Sequence, residues 1–404
     1  IRNIMTRQSS LEKLQENLTS GKKIVRASDD PTGAAIAERA IMRLARIETD
    51  QRALSFQKSS IAQAESTLGD FTDALQSFRD LVVSAGNGSH TAQEHRAIAD
   101  QLTGLRNQLL TLANRKDNNG MPLFSALGSA LQPIVGPKAL PQDYTFDGLP
   151  GQTASTDVAI PFTLDGDQAF MMRPERDGVY RIGVATNSSP LVHSISTTGV
   201  QVTNSSLVDG DRYTVGVSQV LDTAMGQKVV EYVVTRLDTA GAVVTSSTQT
   251  SPPFSPTNDP TVTITGIPGL SFNIKGLPAI GDVLTVDPRA SIFSVLDDAI
   301  RDIGNAADGA AVNQAVGQTL ANIDVGLGRV SAVRGQAGDL LNRADRISTN
   351  QEKRSIQVEG DRASAEDLDM TKGISDFQNQ QTGFSAALQS YAQVQKLSLF
   401  NFLG

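Results

Sequence analysis

Apolar residues recur at seven-residue steps early in the chain: Ile47, Leu54, Ile61, Leu68, Leu75 and Val82. Ala64, Phe71, Phe78 and Ala85 fill the partner positions. This is the a/d seam of a coiled coil, narrower than the stripe of a helix on a globular core. Asp50 and Gln57 hold the two partner positions before Ala64, so the seam weakens toward that end. Asp30 as N-cap and Pro31 at the first helical position predict a helix over 31–85. It would span roughly 80 Å at about 1.5 Å per residue. A compact chain of this size has a radius of gyration of only about 21 Å, so an elongated molecule is expected.

Upstream, Ile4, Leu11, Leu14 and Leu18 keep helical spacing up to Gly21, a C′ glycine. The pattern is already running at Ile4 and the chain opens on Ile1, so the native beginning is expected to lie further upstream. Downstream, a break at Ala85-Gly86-Asn87-Gly88-Ser89 precedes the capping box Thr91-Ala92-Gln93-Glu94 and a helix carrying Ile98, Leu102, Leu105, Leu109 and Leu112.

From about Pro133 to Pro288 the period changes to two, in Tyr180/Ile182/Val184, Tyr213/Val215/Val217, Val262/Ile264 and Leu270/Phe272/Ile274. Asp165-Gly166, Asp177-Gly178 and Asp209-Gly210 supply turns. This predicts a β-rich unit with its own core, including a long polar loop over 246–260. The helical period returns with Ile292, Leu296, Ala299 and Ile303 and continues through Val316, Leu320, Ile323, Leu327 and Val330. The last helical stretch carries Ile374, Phe377, Phe384, Leu388 and Tyr391. A seam cannot bury itself, so the terminal helices are expected to pack on each other. The expected fold is a mainly α, elongated coiled-coil rod with an inserted β-rich outer domain, α+β overall.

Composition narrows the function classes. Lys and Arg number 35 against 43 Asp and Glu, a net charge of −8 with no basic stripe, which argues against nucleic acid. No cysteine is present, which excludes disulfides and thiolate metal sites. Aromatics make up 5% of the chain, consistent with narrow helical seams rather than a thick core. No apolar run approaches the length of about 18 residues that spans a membrane.

Candidate chemistry is sparse. His90 and His95 are five apart, not the i, i+4 of a helical zinc pair, and read as solvated residues at a helix start, facing different ways; His193 stands alone. The glycine run Gly326 to Gly335 lies in a helical pattern with no strand before it, which suits close packing rather than phosphate. The pairs Asp29/Asp30 and Asp297/Asp298 read as helix-start carboxylates. No catalytic, cofactor-binding or metal-ligating residue is assigned.

Four stretches carry a resemblance. LTSGKKIVRASDDPTGAAIAE resembles the N-terminal helix–loop–helix of the flagellin family, and LSLFNFLG is similar to the C-terminus of the branch that joins hook to filament. LANRKDNNGMPLFSALGS and GLSFNIKGLPAIGDVLTVDP are similar to that branch's links into and out of its outer domain, although Gly120-Met121-Pro122-Leu123-Phe124 departs from its usual Gly-Arg-Tyr-Leu-Phe. The resemblance implies terminal inner segments at 1–30 and 370–404, a rod of 31–133 with 291–369, and an outer domain of 134–290. Gly21, Ser28, Asp29, Asp30 and Pro31 would form the joint between inner and rod segments. Phe384, Leu388, Leu397, Leu399, Phe400 and Phe402 would engage neighbours. The implied role is structural, not enzymatic and without cofactor: a hook–filament junction subunit, exported to the outside of the cell by a type III route. Its implied partners are sister copies in a ring, the preceding hook-associated protein, flagellin, an export chaperone and the export apparatus, with no membrane insertion. The alternatives are filament flagellin, or a binding module or enzyme carried by the β unit.

Overall fold

The computed structural model describes residues 2–138, 143–186, 195–223, 226–238, 241–257, 259–306 and 308–403, with side chains at all of these except 3 and 395–403. Three helices come first: α1 (Arg2–Ser20), α2 (Pro31–Ala85) and α3 (Ala92–Ala113). Two short strands, β1 (Ile134–Val135) and β2 (Thr145–Phe146), and two helical turns, α4 (Gly166–Phe170) and α5 (Pro174–Asp177), lead into the main strands. These are β3 (Tyr180–Ala185), β4 (Ser196–Thr197), β5 (Gln201–Val202), β6 (Arg212–Asp222), β7 (Lys228–Leu237), β8 (Val243–Thr250), β9 (Thr261–Ile267), β10 (Leu270–Lys275) and β11 (Val283–Pro288). Helices α6 (Ile292–Gly304), α7 (Gly309–Glu366) and α8 (Met370–Leu403) close the chain. The fold is α+β, with long terminal helices around an inserted β domain. Two compact units divide it, one of residues 1–55, 157–159 and 345–404, the other of 56–156 and 160–344.

The helix starts follow the sequence. Asp30 Oδ1 accepts the Thr32 and Gly33 amides, each at 3.0 Å, so α2 begins at Pro31 with its orphan donors satisfied. Thr91 and Glu94 close the capping box of α3. Within the second unit α2 and α7 run antiparallel, as the pairs Arg334–Glu65 (2.7 Å) and Arg79–Asp324 (3.2 Å) show. Gly326 lets α7 approach closely: a Cβ there would lie 2.4 Å from Ile292 and 3.3 Å from Met172.

The β domain is two sheets packed face to face. Five antiparallel strands run β3-β11-β6-β7-β8, and the smaller sheet is built on β10, flanked by β9 on one edge and β4 and β5 on the other. Alternate residues of both sheets, among them Tyr180, Val215, Tyr232, Val286, Ile264 and Phe272, form one buried core. Gly269 makes the β9–β10 turn possible. Its φ is +70°, and a Cβ would come 2.2 Å from the Asn204 carbonyl oxygen.

Four expectations need correction. Residues 246–250 belong to edge strand β8, whose small polar side chains disguised it as loop; only the stretch from Ser251 onward is irregular. The described residues of 134–179 contain little strand. Their apolar side chains instead pack among the helices, with Phe170 at 4.9 Å from Phe71 and Tyr144 at 5.3 Å from Phe293, ring centre to ring centre. Asp297 and Asp298 lie in the middle of α6, because Ser291 is the N-cap; they take arginine partners rather than free amides. His90 and His95 are neighbours, their ring centres 5.9 Å apart, because His90 precedes the cap and helical spacing does not apply to it. His95 is buried, its Nε2 3.3 Å from the Ala85 carbonyl oxygen at the end of α2. His193 lies outside the described residues.

Candidate assembly interface

The terminal helices α1 and α8 pack antiparallel in the first unit. A Cβ on Gly373 would sit 3.1 Å from Leu18, so this glycine lets the helices meet closely, while one on Gly383 would meet only the tip of the Arg7 side chain at 2.7 Å. The pair has little inside it. Leu11, Leu14 and Leu18 on α1 and Phe377 and Phe384 on α8 are only half-buried, and Gly373 is the one fully buried residue among those described in either helix. Met370, Ile374, Leu388 and Val394 are exposed, Val394 at 62%. Leu397, Leu399, Phe400 and Phe402 stand in the last turns of α8, outside the residues whose side chains are described. So thin a shared core leaves little apolar burial to set against the ordering entropy of the two helices.

Below this pair, both chain crossings break at one level. Gly21 ends α1 at φ +70°, and α7 gives way to α8 across Asp367–Asp369. The two crossings are zipped into a short antiparallel bridge. The Lys23 amide donates to the Glu366 carbonyl oxygen at 2.8 Å, and the Leu368 amide to that of Gly21 at 2.9 Å. The half-exposed Lys22 pairs with the buried Glu366 carboxylate, and Lys13 reaches Asp29 at 2.8 Å. That lysine, with the Arg26 amide, holds the Asp29 carboxyl below its ordinary value. Ile24 is buried against Gly33, where a Cβ would lie 2.4 Å from it. Ser28 is exposed, and Asp30 and Pro31 open α2.

Of the seam residues, Leu54, Ile61, Leu68, Leu75 and Val82 are buried and Ile47 is half-buried. Beside Ala40 of α2 and Val358 and Ala365 of α7 runs a groove rimmed by Ile36, Arg39, Arg43 and Asp361. Ile36, Ile41, Met42 and Ile356 are exposed on the same unit.

One contact was missed by sequence reasoning. Gln314, Gln318 and Asn322 rise at four-residue steps on α7 and line the free edge of β3. The Ile182 amide donates to Gln318 Oε1 at 3.1 Å, and the Ile182 carbonyl oxygen accepts from Gln314 and Gln318 at 3.0 and 3.2 Å. Asn322 donates to the Tyr180 carbonyl oxygen at 3.2 Å. The helix thus takes the place of a sixth strand. Its only sequence signal is amide side chains at helical spacing beside the buried Val312 and Ala315.

Residues 1–128 match the family model of the bacterial flagellin N-terminal helical region. The chain is similar to flagellar hook-associated protein 3 of Salmonella typhimurium, at 32% identity over 133 residues, 32% of this chain and 41% of that protein. It is likewise 32% identical over 136 residues to flagellar hook-associated protein 3 of Escherichia coli, 33% of this chain and 42% of that one. The aligned stretch thus spans about two fifths of those relatives. The flagellar junction protein FlgL from Legionella pneumophila matches in structure with a TM-score of 0.58 and 26% identity, over 76% of this chain and 99% of that one. Among the described residues, no helix is long and apolar enough to cross a membrane.

Proposed function

We propose that this chain is a structural subunit of the bacterial flagellum, assembling with sister copies into the ring that joins hook to filament. The observation that carries the reading is the thin α1–α8 pair, on which Met370, Ile374, Leu388 and Val394 are exposed among the described residues. A neighbouring copy supplying the missing surface would order both helices on docking. Similarity to hook-associated protein 3 and to a junction FlgL favours the junction over the filament.

In this reading residues 1–30 and 370–404 are the inner segments, 31–133 with 291–369 the rod, and 134–290 the outer domain. Gly21 and Ser28 to Pro31 form the joint. Leu388, Phe384 and the four apolar tail residues at 397, 399, 400 and 402 meet the neighbours. The partners are the preceding hook-associated protein on one side and flagellin on the other. An export chaperone and the export apparatus act before assembly, which takes place outside the cell. Antibody or tag labelling of intact flagella tests the role. Signal confined to the boundary between hook and filament is expected; signal along the whole filament would make the chain a flagellin.

A further inference from the structure

The chain has two exposed Asn-Gly pairs, Asn87-Gly88 in the α2–α3 turn and Asn119-Gly120 after α3. Both are open to water, so exposure does not separate them. Their backbones do. Asp117 braces the second pair from every side. Its Oδ1 accepts the Asn119 amide at 2.8 Å and the Met121 amide at 2.9 Å, and its carbonyl oxygen accepts the Gly120 amide at 3.0 Å. Its own amide donates to the Met121 carbonyl oxygen at 2.8 Å.

At the first pair, among the described residues, nothing accepts the Gly88 amide, and a Cβ on Gly88 would meet nothing within 4 Å. The Ser89 amide donates to Asn87 Oδ1 at 3.3 Å. That donor polarises the side-chain carbonyl and faces the oxygen on which charge would develop if Cγ were attacked. The nucleophile is free and the electrophile is activated.

We infer that Asn87 is a site of spontaneous succinimide formation and deamidation in the folded protein, and that Asn119 is protected by the Asp117 brace. The Gly88 nitrogen bonds to Asn87 Cγ and gives up its proton to solvent. The Cγ–Nδ2 bond breaks, and Nδ2 leaves as ammonia after taking a proton. Water then opens the ring at either carbonyl, leaving aspartate or isoaspartate. No oxidant or cofactor enters. Asn87 lines a cavity of about 150 Å³ together with His90, His95, Val312 and Asn313, so the reaction would add a negative charge at its rim. An isoaspartate would also lengthen the backbone of the turn that the His90 amide closes on the Asn87 carbonyl oxygen at 3.1 Å.

The test is peptide mapping by mass spectrometry of the full chain after incubation in mildly alkaline buffer. Native protein should convert Asn87 at least about fivefold faster than Asn119, the factor expected of one retained hydrogen bond. In concentrated urea the two rates should converge. Asp117→Ala, checked by circular dichroism for native helix content, should raise the Asn119 rate and leave Asn87 unchanged. Gly88→Ala, which adds a Cβ into open space, should slow Asn87 alone. Asn119 converting as fast as Asn87 in the folded chain would overturn the inference. So would an unaltered Asn119 rate in folded Asp117→Ala.

Discussion

Gln57 and Gln351 are both polar residues buried on the long helices, at 5% and 3% exposure, and they differ in what they meet. Gln57 Oε1 accepts the Ile160 amide at 3.0 Å, from a loop a hundred residues away in sequence. Neither amide atom of Gln351 has a partner. Gln57→Leu should therefore lower stability by about 1–3 kcal/mol, the cost of stranding a buried donor, whereas Gln351→Leu should raise it by about 1 kcal/mol. Thermal melts of the two variants check the opposite signs. The flaw in the seam at Gln57 was legible in the heptads; its partner was not, because loop contacts leave no periodic trace. Asp177 provides a pH test. Burial pushes its carboxyl up, but Arg176 at 2.8 Å, the Arg173 amide at 2.9 Å and Arg329 at 3.4 Å outweigh that and hold it below its ordinary value. A carboxyl held low stabilises the fold above the ordinary carboxylate pKa and loses that contribution as pH falls through its folded value. Asp177→Asn should cost roughly 1–2 kcal/mol at neutral pH, tempered by the solvent-open Arg176. The gap from the parent melt should close in acid, below about pH 4.

At the scale of elements, the attachment of β3 to α7 rests on amide side chains rather than on apolar packing alone. Gln318→Met keeps the volume but leaves the buried Ile182 amide without its acceptor and withdraws the donor to Thr197 Oγ1 at 2.9 Å. A loss of about 2–4 kcal/mol is expected from the stranded groups together. Hydrogen exchange at Ile182 should accelerate while the β6–β7 ladder stays protected. Unchanged exchange at Ile182 would mean that the ladder contributes nothing to the edge. Helix boundaries were readable because capping residues act on their own amides a few positions away: Asp30 and Thr91 needed no tertiary context. Strands were readable where one face is buried, as in β3 and β6, and unreadable in β8, where seven of eight residues are exposed and alternation has nothing to report. Asp297 was misplaced for a related reason. An acidic pair looks the same at a helix start and at mid-helix, and only the Arg106 guanidinium at 3.0 Å distinguishes them. Burial nonetheless raises the Asp297 carboxyl above its usual range.

At the scale of the whole molecule, stability is unevenly spread. The β domain has one continuous buried core, whereas α1 and α8 share half-buried leucines and phenylalanines across two glycines. The least ordered part of a protein should be the part with the fewest buried apolar contacts. The terminal pair is therefore predicted to be the last to order and to depend on neighbours. The repeating seam announced long helices in the sequence, but thinness of core is a property of side chains placed in space. It emerged only when Leu18 and Gly373 were seen face to face. The direct measurement is backbone hydrogen exchange, residue by residue, on the soluble monomer and on the same chain in assembled flagella. Rapid exchange is expected throughout 2–20 and 370–394 in the monomer, beside slow exchange in β6, β7 and α6, with strong protection of both terminal helices after assembly. Terminal helices already protected in the monomer as firmly as the β core would contradict it.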